Sequence, residues 1–239
     1  MSVDDQQSKD EQPVGHTGFV ALVGRPNVGK STLLNRVLGF KLAIVSDRPQ
    51  TTRNRVLGIH NQGDNQLIIV DTPGLHRSRA NLNRFMIKEA LEGLAGVDVV
   101  VMLIEVDPRH LNSSEDGAPL ELTKEDAFVL EQVEIHRPGV PVIIVLNKVD
   151  RVRERAQLLP LMAGWAEKGF NDIMPISALK GDGVDGLIAR VMELLPMGPR
   201  LYPEEMYTDR AERFLAAELI RGQVFLGCRQ EVPYATGVE

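Results

Sequence analysis

The stretch "GRPNVGKST", Gly24 to Thr32, holds two glycines, a lysine and two hydroxyls directly after the apolar run "FVALV". A glycine, four residues and then Gly-Lys-Ser is the spacing of a loop that cradles phosphates. Glycines let backbone amides turn inward and approach a polyphosphate with no Cβ in the way. Lys30 then reaches the β- and γ-phosphates, and the Ser31 hydroxyl faces a Mg²⁺ ion. A helix opening near Lys30 adds its positive N-terminal end. The expected phosphate-binding set is Gly24, Arg25, Pro26, Asn27, Val28, Gly29, Lys30, Ser31 and Thr32.

Three further motifs follow in the order that a guanine-nucleotide domain requires. "LIIVDTPG" places Asp71 at the end of an apolar strand with Gly74 three residues on. A carboxylate there holds Mg²⁺ through water, and the Gly74 amide meets the γ-phosphate. The surrounding switch would comprise Asp71, Thr72, Pro73, Gly74, Leu75 and His76. "IIVLNKVD" puts Asn147, Lys148 and Asp150 at the C-terminal end of a buried strand, where open α/β sheets bind ligands. The Asp150 carboxylate can accept from the ring N–H and the exocyclic amine of guanine. Adenine lacks that amine and offers an acceptor instead, so a carboxylate would lose its partners. The Lys148 stem covers the base plane, Asn147 braces the pocket, and Ser177 and Ala178 of "PISAL" present backbone to the guanine carbonyl.

The remaining chemical element is "SDRPQTTRNR", with Pro49, Gln50, Thr51, Thr52 and Arg53 as a first switch. A threonine here completes the Mg²⁺ shell, with Ser31 and Asp71, and binds the γ-phosphate in the triphosphate state; Thr52 is the first choice and Thr51 the second. Lys30, Thr52 and Gly74 form the expected catalytic set. Many nucleotide hydrolases place a glutamine after D-x-x-G to orient the attacking water. Leu75 stands at that position, so hydrolysis must draw on backbone amides, a water network or a monovalent cation near Asn27.

These groups need a scaffold that brings several strand ends to one edge. Apolar runs of strand length alternate with helical patterns, which implies an α/β fold with a mostly parallel sheet and helices on both faces. "GFVALVG" reads as the first strand, and "KSTLLNRVLG" as the helix behind its loop, capped by Gly39. "RVLGIHNQGDNQLIIVD" reads as a hairpin. "DVVVMLIEVD" and "PVIIVLNKVD" are buried strands, and "TKEDAFVLEQVEIH" is an amphipathic helix. "RERAQLLPLMAGWAEKG" is a helix with a kink or break at Pro160. "DIMPISALKG" supplies the last strand and "GVDGLIARVMELLP" the last helix of a domain over 18–196. Residues 1–17 read as a disordered leader, and 197–207, rich in proline, as a linker. A helix over "TDRAERFLAAELIRGQVFLG", with Thr208 as its N-cap, opens a second domain over 208–239. The chain reads as stopping inside that domain.

Composition narrows the class. No apolar run reaches the roughly 18–20 residues of a spanning helix, and the polar, acidic N-terminus lacks an apolar signal region, so a cytoplasmic location is expected. One cysteine, Cys228, excludes an internal disulfide and a cysteine cluster for zinc. The net charge of −6 argues against nucleic-acid binding over the whole surface. From Lys41 to Arg84, however, seven Lys or Arg face three Asp or Glu, so this segment carries +4 and the remainder −10. Arg48, Arg53, Arg55, Arg77 and Arg79 are therefore candidate contacts to RNA phosphates.

The set "GRPNVGKSTLLN", "PQTTR", "VDTPGLH", "NKVD" and "ISA" resembles the Era family of bacterial GTPases, and "TDRAERF" with "EVPY" strengthens the likeness. The resemblance implies a Mg²⁺-dependent, slowly turning over GTPase that assists assembly of the small ribosomal subunit. It also implies a C-terminal KH domain that binds near the 3′ end of 16S rRNA, and peripheral association with the inner face of the cell membrane. A KH domain clamps RNA with a GXXG loop, and no GXXG follows the linker here. In related GTPases an asparagine at the Asn27 position helps bind K⁺. A monomer is expected. Two alternatives stay open: a guanine-nucleotide-dependent scaffold without useful hydrolysis, and a GTPase component of a tRNA-modifying enzyme.

Overall fold

Four runs of apolar residues form the parallel centre of the sheet: β1 (Val14–Val23), β3 (Asn65–Asp71), β4 (Val99–Glu105) and β5 (Val142–Asn147). Strands covered on both faces need near-continuous apolar sequence, and β4 is buried at every position but its last. With β2 (Val56–Gln62) and β6 (Ile173–Pro175) the strand order is β2-β3-β1-β4-β5-β6. Only β2 runs antiparallel within that order, paired with β3 through the expected hairpin. This computed structural model describes residues 14–46, 51–52, 54–76, 81–111 and 123–227.

The strand period of two divides the core between the two faces. Val20, Leu22, Val99, Val101 and Leu103 join α1 (Lys30–Leu38) and α6 (Val184–Leu194) in one cluster. Ala21, Val23, Val100, Met102 and Ile104 join α2 (Asn81–Glu92), α4 (Lys124–His136) and α5 (Leu159–Glu167) in the other. A short helix, α3 (Pro108–Leu111), follows β4. Helix α2 adds to the elements expected from sequence. Helix α5 begins at Leu159, with Pro160 in its first turn rather than at a bend, after a 3₁₀ turn over Arg155–Leu158. Proline in a first helical turn removes no hydrogen bond, so this is where a helix tolerates it.

Two boundaries differ from expectation. The strand begins at Val14, so residues 14–17 are not leader: Val14–His16 pair antiparallel with β7 (Met197–Pro199). Nor is 197–207 a free linker. Buried Gln66 accepts from the Leu201 and Tyr202 amides (2.8 and 2.9 Å) and donates to Tyr202 O (2.8 Å) and Asn61 Oδ1 (2.9 Å). Further along, the Ile59 amide donates to Tyr207 O at 2.9 Å, so this strap closes the open edge of β2. Thr208 is not a helix cap either: its hydroxyl donates to Leu57 O at 2.6 Å, and α7 (Glu212–Gly227) starts four residues later. Phe214 and Leu215 seat α7 on the core cluster that contains α1. Cys228, residues 1–13 and residues 228–239 lie outside the described residues. Among the described residues no helix is long and apolar enough to cross a membrane.

Candidate functional site

The C-terminal ends of β1, β3, β4 and β5 open onto one cavity of about 480 Å³. Its walls come from the phosphate-type loop, from Thr51 and Thr52, from Gly74, and from Asn147, Lys148, Asp150 and Ala178. Among the described residues, the two non-glycine positions with left-handed backbone are Asn27 (φ 64°) and Lys148 (φ 68°), and both line this cavity. Each costs roughly 1–2 kcal/mol of backbone strain in an L-residue. Strain held at two places in one site marks a conformation that the surrounding structure imposes. Glycine is enforced by contact at both glycines that line the cavity. A Cβ on Gly29 would lie 2.3 Å from Asn147 Nδ2, and one on Gly74 would lie 2.6 Å from Pro26 N.

At one end the polar groups converge around Asp71. The Ser31 hydroxyl donates to Asp71 Oδ2 at 2.7 Å and lies 3.0 Å from Thr52 Oγ1, which is 3.4 Å from the same carboxylate oxygen. Burial pushes the Asp71 carboxyl up to about 6, against the opposing pull of Lys30, Ser31 and Thr52. Its second oxygen, Oδ1, is buried without a hydrogen-bond partner. Burial likewise lowers the Lys30 ammonium to about 8, with the Asp71 charge opposing. Lys30 Nζ donates to Gly24 O (3.1 Å) and Arg25 O (2.9 Å), which holds the loop closed over its own lysine. Of the two threonines, Thr52 brings its hydroxyl to Ser31 and Asp71, while Thr51 turns its carbonyl to Arg221 on α7.

At the other end Asn147 is a buried brace. Its Nδ2 donates to Val28 O at 2.7 Å and its Oδ1 accepts from the Ala178 amide at 2.9 Å, joining the phosphate-type loop to the "ISA" loop. Ser177 Oγ donates to Asp150 Oδ1 at 2.6 Å, so the hydroxyl aims the carboxylate. Glu105 at the end of β4 takes Lys148 Nζ and an Arg151 guanidinium nitrogen, both at 2.8 Å. Arg36 of α1 donates to Ala178 O at 3.2 Å and also to Leu179 O.

Other expected residues serve the frame rather than the cavity. Val28 and Leu75 are buried in the two core clusters, and Leu75 meets the site only through its amide, which donates to Gly24 O at 3.1 Å. The residue after D-x-x-G therefore points into the core. Thr72 donates its hydroxyl to Leu22 O (2.7 Å), Pro73 is buried, and His76 Nδ1 lies 3.3 Å from Gly74 O. Arg25 turns away to pair with buried Asp126 at 2.8 Å. Asp126 sits at the start of α4, where Thr123 caps its amide, and burial raises its carboxyl despite the Thr123 and Arg25 bonds. Arg55 is exposed, with a guanidinium nitrogen 3.5 Å from Glu92 O. Pro49, Gln50, Arg53, Arg48, Arg77 and Arg79 lie outside the described residues.

Sequence reasoning did not find Glu105, Arg36, Asp126 or Arg221. Only Asp126 had a local signal, the Thr-x-x-Asp spacing of a helix N-terminus. The others act across the fold, from positions that no nearby residue marks.

Comparison with known proteins fits this geometry. A family described as "50S ribosome-binding GTPase" matches residues 19–148. GTPase Era of Geobacter metallireducens is 46% identical over 224 residues, covering 93% of this chain and 70% of that protein. GTPase Era of Geotalea uraniireducens is 44% identical over 222 residues, with the same coverage of 93% and 70%. A solved structure described as Era in complex with MgGDPNP and nucleotides 1506–1542 of 16S ribosomal RNA superposes with a TM-score of 0.80. It is 37% identical and covers 92% of this chain and 70% of that one. The chain belongs to the Era family of GTPases.

Proposed function

We propose that the cavity binds GTP with Mg²⁺, and that hydrolysis there switches the chain's association with the 16S rRNA of the small ribosomal subunit. One observation carries the reading. A single cavity joins a carboxylate aimed by Ser177 at one end to the Ser31, Thr52 and Asp71 cluster at the other. That is the layout of a purine nucleotide with its phosphates.

The donor set fits a hard divalent cation. Two hydroxyls and one carboxylate supply oxygen only, as Mg²⁺ prefers, and the unpartnered Asp71 Oδ1 has a lone pair to spare. When bound, the ion would supply positive charge against the β- and γ-phosphate oxygens. Ser31 and Thr52 would hold it directly, and Asp71 through water. Lys30, with two of its three N–H groups on loop carbonyls, has one left for a phosphate oxygen. Gly74 would offer its amide to the γ-phosphate, close against Pro26 where no side chain fits. Asp150 would read the guanine N–H and amine, under the Lys148 stem that Glu105 steadies.

With Leu75 in the core, the attacking water would be ordered by backbone amides, a water network or a monovalent cation held near Asn27. Equal kcat in K⁺ and Na⁺ at matched ionic strength would remove the cation from this account. RNA recognition is supported by the likeness to Era in its complex with a 16S rRNA fragment, and by the basic segment from Lys41 to Arg84. Peripheral attachment to the inner membrane face, which the family resemblance also implies, would appear as co-sedimentation with anionic vesicles. The reading as a whole is tested by binding of the chain to small ribosomal subunits with GDP and with a non-hydrolysable GTP analogue. Binding that depends on the nucleotide is expected; identical binding in both states would contradict a switch.

A further inference from the structure

The segment that carries Thr52 is held from outside the nucleotide fold. Arg221 on α7 is 5% exposed and donates from NH2 to the Thr51 carbonyl at 2.7 Å, one peptide bond before Thr52. Glu218, one helical turn back, holds that guanidinium by one edge: Nε donates to Oε1 at 2.7 Å and NH2 to Oε2 at 2.5 Å, and the same NH2 group donates to the Thr51 carbonyl. The next residue, Gly222, faces Ile44, where a Cβ would make an ordinary van der Waals contact of 3.4 Å with Ile44 Cγ1. The helix backbone thus faces the cavity wall that leads into the switch, since Ile44 also lines the nucleotide cavity. Arg210, just before α7, donates to the Arg55 carbonyl. Residues 51 and 55 are therefore each gripped by an arginine from beyond the sheet, with Thr52 between them.

We propose that Arg221 is a positioning residue for GTP hydrolysis. Through the Thr51 carbonyl it fixes the peptide that carries Thr52, and so keeps the Thr52 hydroxyl beside Ser31 and Asp71. The inference rests on the assignment of Thr52 to the Mg²⁺ and γ-phosphate end of the site. A planar guanidinium suits this role, because a carboxylate can hold one edge while NH2 on that edge still presents a second, rigid N–H. Thr51 gives only its carbonyl, so the contact shapes the backbone rather than touching the nucleotide.

The test is a mutant cycle in the full chain: Arg221→Ala, Thr52→Ala and the double variant, with kcat, KM and GDP affinity measured for each. Loss of a charged hydrogen bond that orients the reacting site should lower kcat about tenfold in Arg221→Ala. GDP affinity should change less than about twofold, because GDP lacks the phosphate that Thr52 serves. In the Thr52→Ala background, Arg221→Ala should add less than about twofold, since residues acting through one another are not additive. If Arg221→Ala does not fold, Arg221→Lys replaces it in the same cycle, keeping the charge while losing the fork. Unchanged kcat, or a full additive loss on top of Thr52→Ala, would overturn the proposal. A parallel fall in kcat and GDP affinity would also overturn it, by showing general loosening of the fold. Normal turnover in Thr52→Ala alone would instead remove the underlying assignment of Thr52.

Discussion

The two ends of the nucleotide cavity are secured by different means. At the base end, Asn147 joins Val28 to Ala178, and Ser177 aims Asp150, so the residues that form the pocket also hold one another. At the switch end, Thr52 meets Ser31 and Asp71, but its chain is gripped by Arg210 and Arg221, more than 150 residues later in sequence. The base end is a self-braced socket within the sheet. The switch end is held from α7 and the residues just before it, none of which lines the cavity. A pocket that must discriminate gains from rigidity, whereas a segment that must respond to one phosphate gains from supports that can be released.

That contrast can be broken most sharply at the base end. Asp150→Asn removes the carboxylate proposed to accept two hydrogen bonds from guanine. GTP affinity should then fall on the order of 10²- to 10⁴-fold, measured by titration calorimetry. Xanthosine triphosphate should lose far less, because an asparagine amide can donate to the carbonyl that replaces the guanine amine. Lys30→Ala should lower kcat on the order of 10²- to 10³-fold in single-turnover hydrolysis, as expected for removing a cation aimed at developing charge.

At the Asp71 corner the effect appears in stability. The folded carboxyl ionises near 6 and the unfolded one near 3.8. The native state therefore binds the proton more tightly, and its stability declines as pH rises from 3.8 through about 6. In chains stripped of nucleotide and metal, Asp71→Asn should lose less stability than the parent chain in chemical denaturation as pH rises from 3.8 through about 6. Gln66→Ala would leave the Leu201 and Tyr202 amides unpaired and should cost about 1–3 kcal/mol. Nucleotide affinity should stay within about twofold, since Gln66 holds the strap and not the site. Leu75→Gln should give the smallest gain of all: no rise in kcat, because position 75 faces the core.

That Asn147, Lys148, Asp150 and Ala178 share one cavity was legible in the sequence, whereas Glu105 and Arg36, which hold Lys148 and Ala178, were not. Those first four come from short motifs at strand ends, where a glycine, lysine or carboxylate at fixed spacing has few other uses. The apolar runs of β1 and β4, alternating along the chain with helical patterns, likewise implied helices on both faces, and the structure has them. Legibility failed where a residue acts through distant partners. Gln66 looks like an ordinary polar residue in a hairpin strand, yet it is fully buried and satisfies a segment that reads as a proline-rich linker. Proline and exposed charge signal irregular backbone, and irregular backbone need not be loose when a sheet edge lies within reach. Val14–His16 became strand because β7 offers a partner, a fact that polar local sequence cannot carry. Arg221 is one arginine on an amphipathic helix until the fold lays it on Thr51.

The most direct test of the account is multiple-turnover phosphate release from GTP and from ATP by the full chain, with Mg²⁺ and with the metal chelated. The account predicts slow, sustained release from GTP, none above background from ATP, and loss of activity on chelation. Equal turnover of ATP, or GTP turnover untouched by chelation, would contradict the assignment of Asp150 to guanine or of Ser31, Thr52 and Asp71 to the metal.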